Sequence, residues 1–265
     1  MRYSPILFAA FVATLSAPSI AGTIKPEDWF AGALAVRDDR DQEWKVNLGA
    51  GAFYAPEGTG SEDYKVFPLP LVDAEFRDTF FFSTARGFGV NLARRQNLKA
   101  GFRITIDYGR DASASPRTKT LKDVDPAPEA GAFLENYVGS YRFKLDIRQA
   151  LGGHDGMVGG FDIARASRMA DDIILLIGGK VTAADATYMD SYYGVPRSNR
   201  TLKAHSPSSG LHDVAVYLAM VYQIDRNWYF SYDVRYSQLL GDAASSPVTE
   251  KSGQGYLGLT VGYRF

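Results

Sequence analysis

Apolar and polar side chains alternate one by one along much of this chain, and the clearest run is the last. Leu257, Leu259, Val261, Tyr263 and Phe265 fall on one face of a strand, and Gly258, Thr260, Gly262 and Arg264 on the other, because successive strand side chains point to opposite sides. The same period recurs upstream. Trp228, Phe230, Tyr232, Val234 and Tyr236 oppose Tyr229, Ser231, Asp233, Arg235 and Ser237. Val214, Val216, Leu218, Met220 and Tyr222 oppose Ala215, Tyr217, Ala219, Val221 and Gln223, with Asp225-Arg226-Asn227 as a tight turn between the two runs. Tyr141, Phe143, Leu145 and Ile147 oppose Arg142, Lys144, Asp146 and Arg148, the sharpest split between apolar and charged in the chain. Leu98, Ala100, Phe102, Ile104, Ile106 and Tyr108 oppose Lys99, Gly101, Arg103, Thr105 and Asp107. Trp44, Val46, Leu48, Ala50 and Ala52 oppose Lys45, Asn47, Gly49, Gly51 and Phe53.

Weaker segments lie between these. Val66 to Phe76 reads as a strand whose Pro68 and Pro70, lacking N–H groups, are expected at a bulge or an unpaired edge. Phe80 to Leu92, Gly131 to Val138, Met157 to Ala166 and Ile173 to Val181 bring the count to eleven. The pattern predicts an all-β fold, a transmembrane antiparallel up-and-down β-barrel over 44–265 with its apolar face toward lipid. A single-chain bacterial barrel takes an even number of strands, so a twelfth is expected in 182–212, near Tyr192-Tyr193-Gly194-Val195. Ten strands remain if two weak segments are loops. A soluble lipocalin-like barrel would reverse the pattern, with apolar residues inside and charges outside.

The amino-terminal end points to export. Arg2, an apolar run from Ile6 to Leu15, and Ser19-Ile20-Ala21 follow one another as in a secretory signal cleaved after Ala21. The run falls short of the roughly 20 apolar residues that span a bilayer. No other stretch approaches a membrane helix, which leaves a closed barrel as the way to enter a membrane. Residues 22–43, with Asp38-Asp39-Arg40-Asp41, are expected to be a mobile, polar periplasmic lead-in. Residues 109–130, 182–212 and 241–252 read as loops. Counting back from a periplasmic carboxy-terminus puts 241–252 outside the cell, whereas the side of 109–130 depends on the unplaced strand. With 29 basic and 30 acidic residues the chain offers no electrostatic case for nucleic-acid binding. Sixteen tyrosines and sixteen phenylalanines suit aromatic girdles at two water–lipid interfaces.

Little suggests catalysis. A barrel hydrolase needs Ser, His and an acid brought together. The three histidines, His154, His205 and His212, fall in apparent turns or loops. The adjacent pairs His205-Ser206 and His212-Asp213 would face opposite ways on a strand, so solvated loop histidines are expected. No metal-ligand spacing is present, and no helix follows Gly49-x-Gly51 to make a phosphate loop. The chain therefore reads as a non-enzyme without catalytic residues, metal or cofactor. The inward-facing set is the more informative constellation: Lys45, Arg103, Asp107, Arg142, Lys144, Asp146, Arg148, Asp162, Asp233, Arg235 and Arg264. Either these charges neutralise one another and plug the lumen, or Arg142, Lys144 and Arg148, with Arg103, line a narrow channel that favours anions.

Several short motifs also carry a family resemblance. Asn47-Leu48-Gly49-Ala50-Gly51, Phe67-Pro68-Leu69-Pro70, Tyr193-Gly194-Val195, Ser246-Pro247-Val248 and Gly262-Tyr263-Arg264-Phe265, in this order, resemble the MipA/OmpV family from about Trp44 to Phe265. The resemblance implies a barrel in the outer membrane of a Gram-negative bacterium. Its implied role is a scaffold that brings a murein lytic transglycosylase and a peptidoglycan synthase together. Some members of the family are porin-like, osmoregulated or adhesive, so a channel for small anionic solutes and an adhesive surface stay open. The segment 22–43 is longer than the family's usual lead-in. Outer-membrane lipid and the insertion machinery are the remaining expected partners. For that machinery the closing strand, with Leu257, Leu259, Val261, Tyr263 and terminal Phe265, resembles an assembly signal.

Overall fold

A computed structural model describes residues 26–35, 42–95, 97–115 and 117–265. The expected signal segment, 1–21, lies outside these residues, as do 22–25 and 36–41. Twelve antiparallel strands close into one barrel: β1 (Trp44–Pro56), β2 (Tyr64–Phe76), β3 (Phe80–Ser83), β4 (Gly87–Arg95), β5 (Leu98–Asp107), β6 (Ala127–Val138), β7 (Tyr141–Ala150), β8 (Met157–Ala170), β9 (Ile173–Ala184), β10 (Gly210–Gln223), β11 (Trp228–Leu239) and β12 (Gly253–Arg264). Each pairs with its neighbours in sequence, and β12 returns to β1 with Leu48 opposite Tyr263 and Ala52 opposite Leu259. Phe265 N donates to Val46 O at 2.9 Å, which ties the last residue into the seam. Closure removes the unpaired edges an open sheet would present, save along residues 64–71 of β2.

The alternation sorts as expected. Leu145, Ile147, Val216, Leu218, Leu257, Leu259 and Val261 are exposed on the outside, whereas Phe53, Arg103, Tyr217, Thr260 and Arg264 are buried within. Trp44 against Phe76 and Trp228 against Tyr263 form ring contacts at one end of the barrel, and Tyr54 against Tyr64 at the other.

The twelfth strand comes from a different place than the pattern suggested. Segment 80–92 divides into β3 and β4 at residues 84–86, where Gly87 turns the chain with φ +85°; a Cβ there would come within 2.1 Å of Ile104 O. Tyr192 and Tyr193 instead end a helix, α3 (Ala186–Tyr193), which Asp185 starts by accepting from Tyr188 N at 2.8 Å. β6 begins at Ala127 rather than Gly131, so the loop before it is shorter than expected.

The short β3–β4 hairpin also explains the prolines of β2. Residues 64–71 pair with β1 alone. The Pro70 carbonyl accepts from Thr84 Oγ1 at 3.0 Å, so it points away from β1. Pro70 and Pro68 therefore direct their missing donors to the side where no strand pairs, the unpaired edge that proline tolerates.

One end of the barrel carries short turns, at 77–79, 139–140, 171–172 and 224–227. The other carries the long connections 57–63, 108–126, 185–209 and 240–252. Residues 108–126 thus share an end with 240–252, which settles their relative placement. Residues 26–35, expected outside the barrel in a mobile lead-in, lie within it as two short helices, α1 (Pro26–Trp29) and α2 (Ala31–Ala35), packed on inward side chains of β1, β2, β10 and β11.

Candidate functional site

The lumen site forms where charges from four strands meet α1. Helices this short are marginal by themselves, so packing holds them. Trp29 meets Phe53 and Phe67 edge-on at 4.9 and 5.4 Å between ring centres, and Phe30 meets Phe53 at 4.9 Å. Gly32 N donates to Asp233 Oδ1 at 2.7 Å. A Cβ on Gly32 would lie 3.1 Å from Ser231 Cβ, so a larger residue would crowd the wall.

With that anchor in place, two acidic side chains are set against a basic wall. Glu27 Oε2 lies 2.6 Å from Arg103 Nη1 and 2.8 Å from Lys144 Nζ, and Oε1 lies 3.7 Å from Arg148 Nη1. Both Asp28 oxygens reach Lys180 Nζ, at 3.0 and 2.9 Å, and Oδ1 lies 3.3 Å from Arg235 Nη1. Burial pushes both carboxyls up, but the cations more than offset it. Arg103 and Lys144 hold Glu27 well below its ordinary value, and Arg235 and Lys180 hold Asp28 below its own.

The inward-facing charges read from the sequence divide among three settings. Arg103, Lys144, Arg148 and Arg235 meet the acidic pair. Asp146 bonds Arg103 and lies 3.2 Å from Arg148 Nε; Asp162 lies 2.7 Å from Arg142 Nη2 and accepts from Tyr217 OH at 2.8 Å. Lys45 and Arg264 sit nearer the turn end, Lys45 at 2.9 Å from Asp78 and the Arg264 guanidinium 4.2 Å from the Tyr229 ring centre. Asp107 lies toward the loop end, where it accepts from Tyr192 OH and Gly109 N. Glu27, Asp28, Glu129 and Lys180 were absent from that reading. Lys180 and Glu129 share the inward parity of their strands, but apolar or proline-containing neighbours masked the alternation.

Between α1, α2 and the turn end lies a cavity of about 470 Å³. Lys45, Asn47, Arg86, Arg142, Lys144 and Lys180 are among its lining residues, with Glu27 and Asp28 at its inner wall. Toward the loop end a second layer closes the lumen. Tyr188, Met189, Tyr192 and Tyr193 of α3 pack with Val124, Val158, Leu239 and Ala243. Polar bonds knit the loops: Ser246 Oγ donates to Tyr193 O at 2.7 Å, Arg110 to Tyr192 O, and Asn199 Nδ2 to Thr120 Oγ1 at 3.0 Å.

Two of the three histidines belong to this lid rather than to solvated loops. His212 and His154 are each 1% exposed. His212 and Asp213 were expected on opposite faces, yet a register shift between Leu211 and Asp213 turns both inward. The His212 Nδ1–H donates to Asp213 Oδ1 at 2.9 Å, which leaves Nε2 to accept from Tyr193 OH at 2.8 Å. The constellation has the outline of an acid–base relay, with Tyr193 1% exposed. It fastens α3 to β10.

His154 Nε2 faces Glu129 Oε1 at 3.6 Å and Asp107 Oδ2 at 3.9 Å, and the three ligand atoms fall within 4.8 Å of one another. Among the described residues this is the grouping with metal-like spacing, and the sequence hid it because its members lie on β5, β6 and a turn. Gly156 N donates to His154 Nδ1 at 3.0 Å. The ring proton of neutral His154 is therefore on Nε2, the atom a metal would need as a lone pair. At these separations Nε2 makes no hydrogen bond to either carboxylate, and the trio offers no free histidine lone pair to a metal.

The family described as MltA-interacting protein MipA matches residues 48–265. No curated protein matches the chain. Solved structures similar in shape include the KdgM porin (10% identity, TM-score 0.44, 83% of this chain and 99% of that one) and the NanC porin (8%, 0.42, 83% and 100%). OmpT, an outer membrane protein of Vibrio cholerae, also matches, at 9% identity and TM-score 0.38 over 87% of this chain and 100% of that one.

Proposed function

The chain belongs to the MipA family, and from that premise we propose that it is a non-enzymatic scaffold in the outer membrane of a Gram-negative bacterium. It holds a murein lytic transglycosylase, and with it a peptidoglycan synthase, against the membrane. The short-turn end faces the periplasm and the long loops face outward, the usual arrangement of bacterial barrels.

The observation that supports this reading over an open pore is the double obstruction of the lumen. The acidic helix α1 crosses it at mid-depth, and the α3 lid covers the loop end. His154 and His212 are buried beneath that lid. What the molecule offers a partner is its periplasmic surface.

The test is a pull-down of both enzymes on the mature protein in mild detergent. Retention of the transglycosylase, and of the synthase through it, is expected. Clean loss of both under conditions that preserve the heat-shifted gel mobility of a folded barrel would overturn the scaffold.

A further inference from the structure

We propose that the Glu27–Asp28 pair occupies, from within the chain, a binding site for a small polycarboxylate that enters from the turn end. The inference goes beyond the scaffold reading and does not depend on it. The site has two adjacent basic subsites. One is Arg103, Lys144 and Arg148 around the Glu27 carboxylate; the other is Lys180 and Arg235 around that of Asp28.

These cations come from β5, β7, β9 and β11, so barrel closure alone assembles them. Their remaining counter-ions are distributed unevenly. Arg103 and Arg148 keep Asp146 when the pair withdraws, Arg148 also keeps Glu129 at 3.7 Å, and Arg235 retains Asp213 at 4.0 Å. Lys144 retains Glu135 at 3.8 Å, while Asp28 supplies the close carboxylate of Lys180 at 2.9 Å. Withdrawal of α1 therefore leaves these five cations facing four carboxylates, Asp146, Glu129, Glu135 and Asp213, with Lys180 losing its close partner beside the 470 Å³ cavity, which is within the size range of small-molecule sites.

Buried cations need compensation, and a solute carrying two or three carboxylates supplies it in the geometry the helix now provides. A neutral solute does not, and a monovalent anion satisfies one subsite only. The seal and the ligand compete for the same five side chains. The resting barrel is thus self-occupied, and the ligand's apparent affinity is reduced by the fraction of molecules in which α1 is docked.

Citrate is the probe. The full mature chain carries Trp44→Phe and Trp228→Phe, so that Trp29, the third tryptophan, alone reports plug position. Saturable change in Trp29 emission and quenching on adding citrate, absent with sodium chloride at matched ionic strength, is expected. By calorimetry, Glu27→Gln with Asp28→Asn should bind citrate about tenfold more tightly because competition is relieved, and Lys144→Gln with Lys180→Gln should abolish binding. An equal response to chloride would overturn the proposal, as would absence of citrate binding in every folded form. If the acidic-pair variant fails to fold, the tryptophan titration of the otherwise wild-type protein decides.

Discussion

Glu27 Oε2 lies 2.6 Å from Arg103 Nη1, although the two residues are 76 positions apart in sequence. Their side chains are 9% and 3% exposed, so water does little to screen the pair. Glu27→Gln removes the carboxylate shared by Arg103, Lys144 and Arg148. Breaking a buried pair by removing one partner costs about 3–5 kcal/mol, here concentrated on α1 docking. Hydrogen exchange should show amides of residues 26–35 opening much faster while barrel strands keep their protection. Unchanged protection of 26–35 would contradict the role given to Glu27.

Acid should release the plug late. The docked Glu27 carboxyl lies well below its ordinary value, and Asp28 is lowered too. A group depressed in the folded state contributes stability above its unfolded value, and that stability is lost as pH falls through the depressed one. Trp29 emission should therefore stay constant from neutral pH into the ordinary carboxylate range and change only below it. Release near about pH 6 would assign the latch to another group on the plug's wall, such as Asp233, which accepts from Gly32 N.

The lid depends on Tyr193 more than its loop setting suggests. Tyr193→Phe leaves buried His212 Nε2 without its donor, a loss of about 1–3 kcal/mol, while the bond from Ser246 Oγ to the Tyr193 carbonyl remains. Limited proteolysis should then nick the loops at 185–209 and 240–252 sooner, with barrel gel mobility unchanged. Equal nicking rates would show that apolar packing of α3 carries the lid alone.

The strands were legible because a two-residue period leaves a trace in every segment with one lipid face and one polar lumen face. Leu145 and Arg148 could hardly exchange faces. Where both faces are apolar, as in β9, the trace fades and Lys180 was lost with it. The plug left no such trace: Glu27, Asp28, Trp29 and Phe30 have no period, and their helices exist because the lumen supplies partners. The Tyr192-Tyr193-Gly194-Val195 stretch has strand-like composition, but Asp185, seven residues upstream of Tyr192, caps a helix first. His212 and Asp213 met through a bulge, which residue spacing alone does not reveal.

The closing strand carries its own prediction. Phe265 bonds Val46 through its backbone, and its ring lies 4.6 Å from that of Tyr263 on the lipid side. Phe265→Ala keeps the backbone bond and removes the aromatic end, so native unfolding should change little while the yield of membrane-inserted barrel falls. Full yield in pulse-labelled cells would show that Phe265 is a strand end without a part in assembly.

Occupancy of the lumen by residues 26–35 is tested most directly by a disulfide, because the chain has no cysteine. A Cβ at Gly32 lies 3.1 Å from Ser231 Cβ, a few tenths of an ångström inside the roughly 3.5–4.5 Å that disulfides favour. Gly32→Cys with Ser231→Cys should cross-link on mild oxidation in isolated outer membranes, giving a product that resists thiol labelling until it is reduced. Two thiols that both react freely with a membrane-impermeant maleimide, in a barrel that is otherwise folded, would show that the segment does not lie in the lumen.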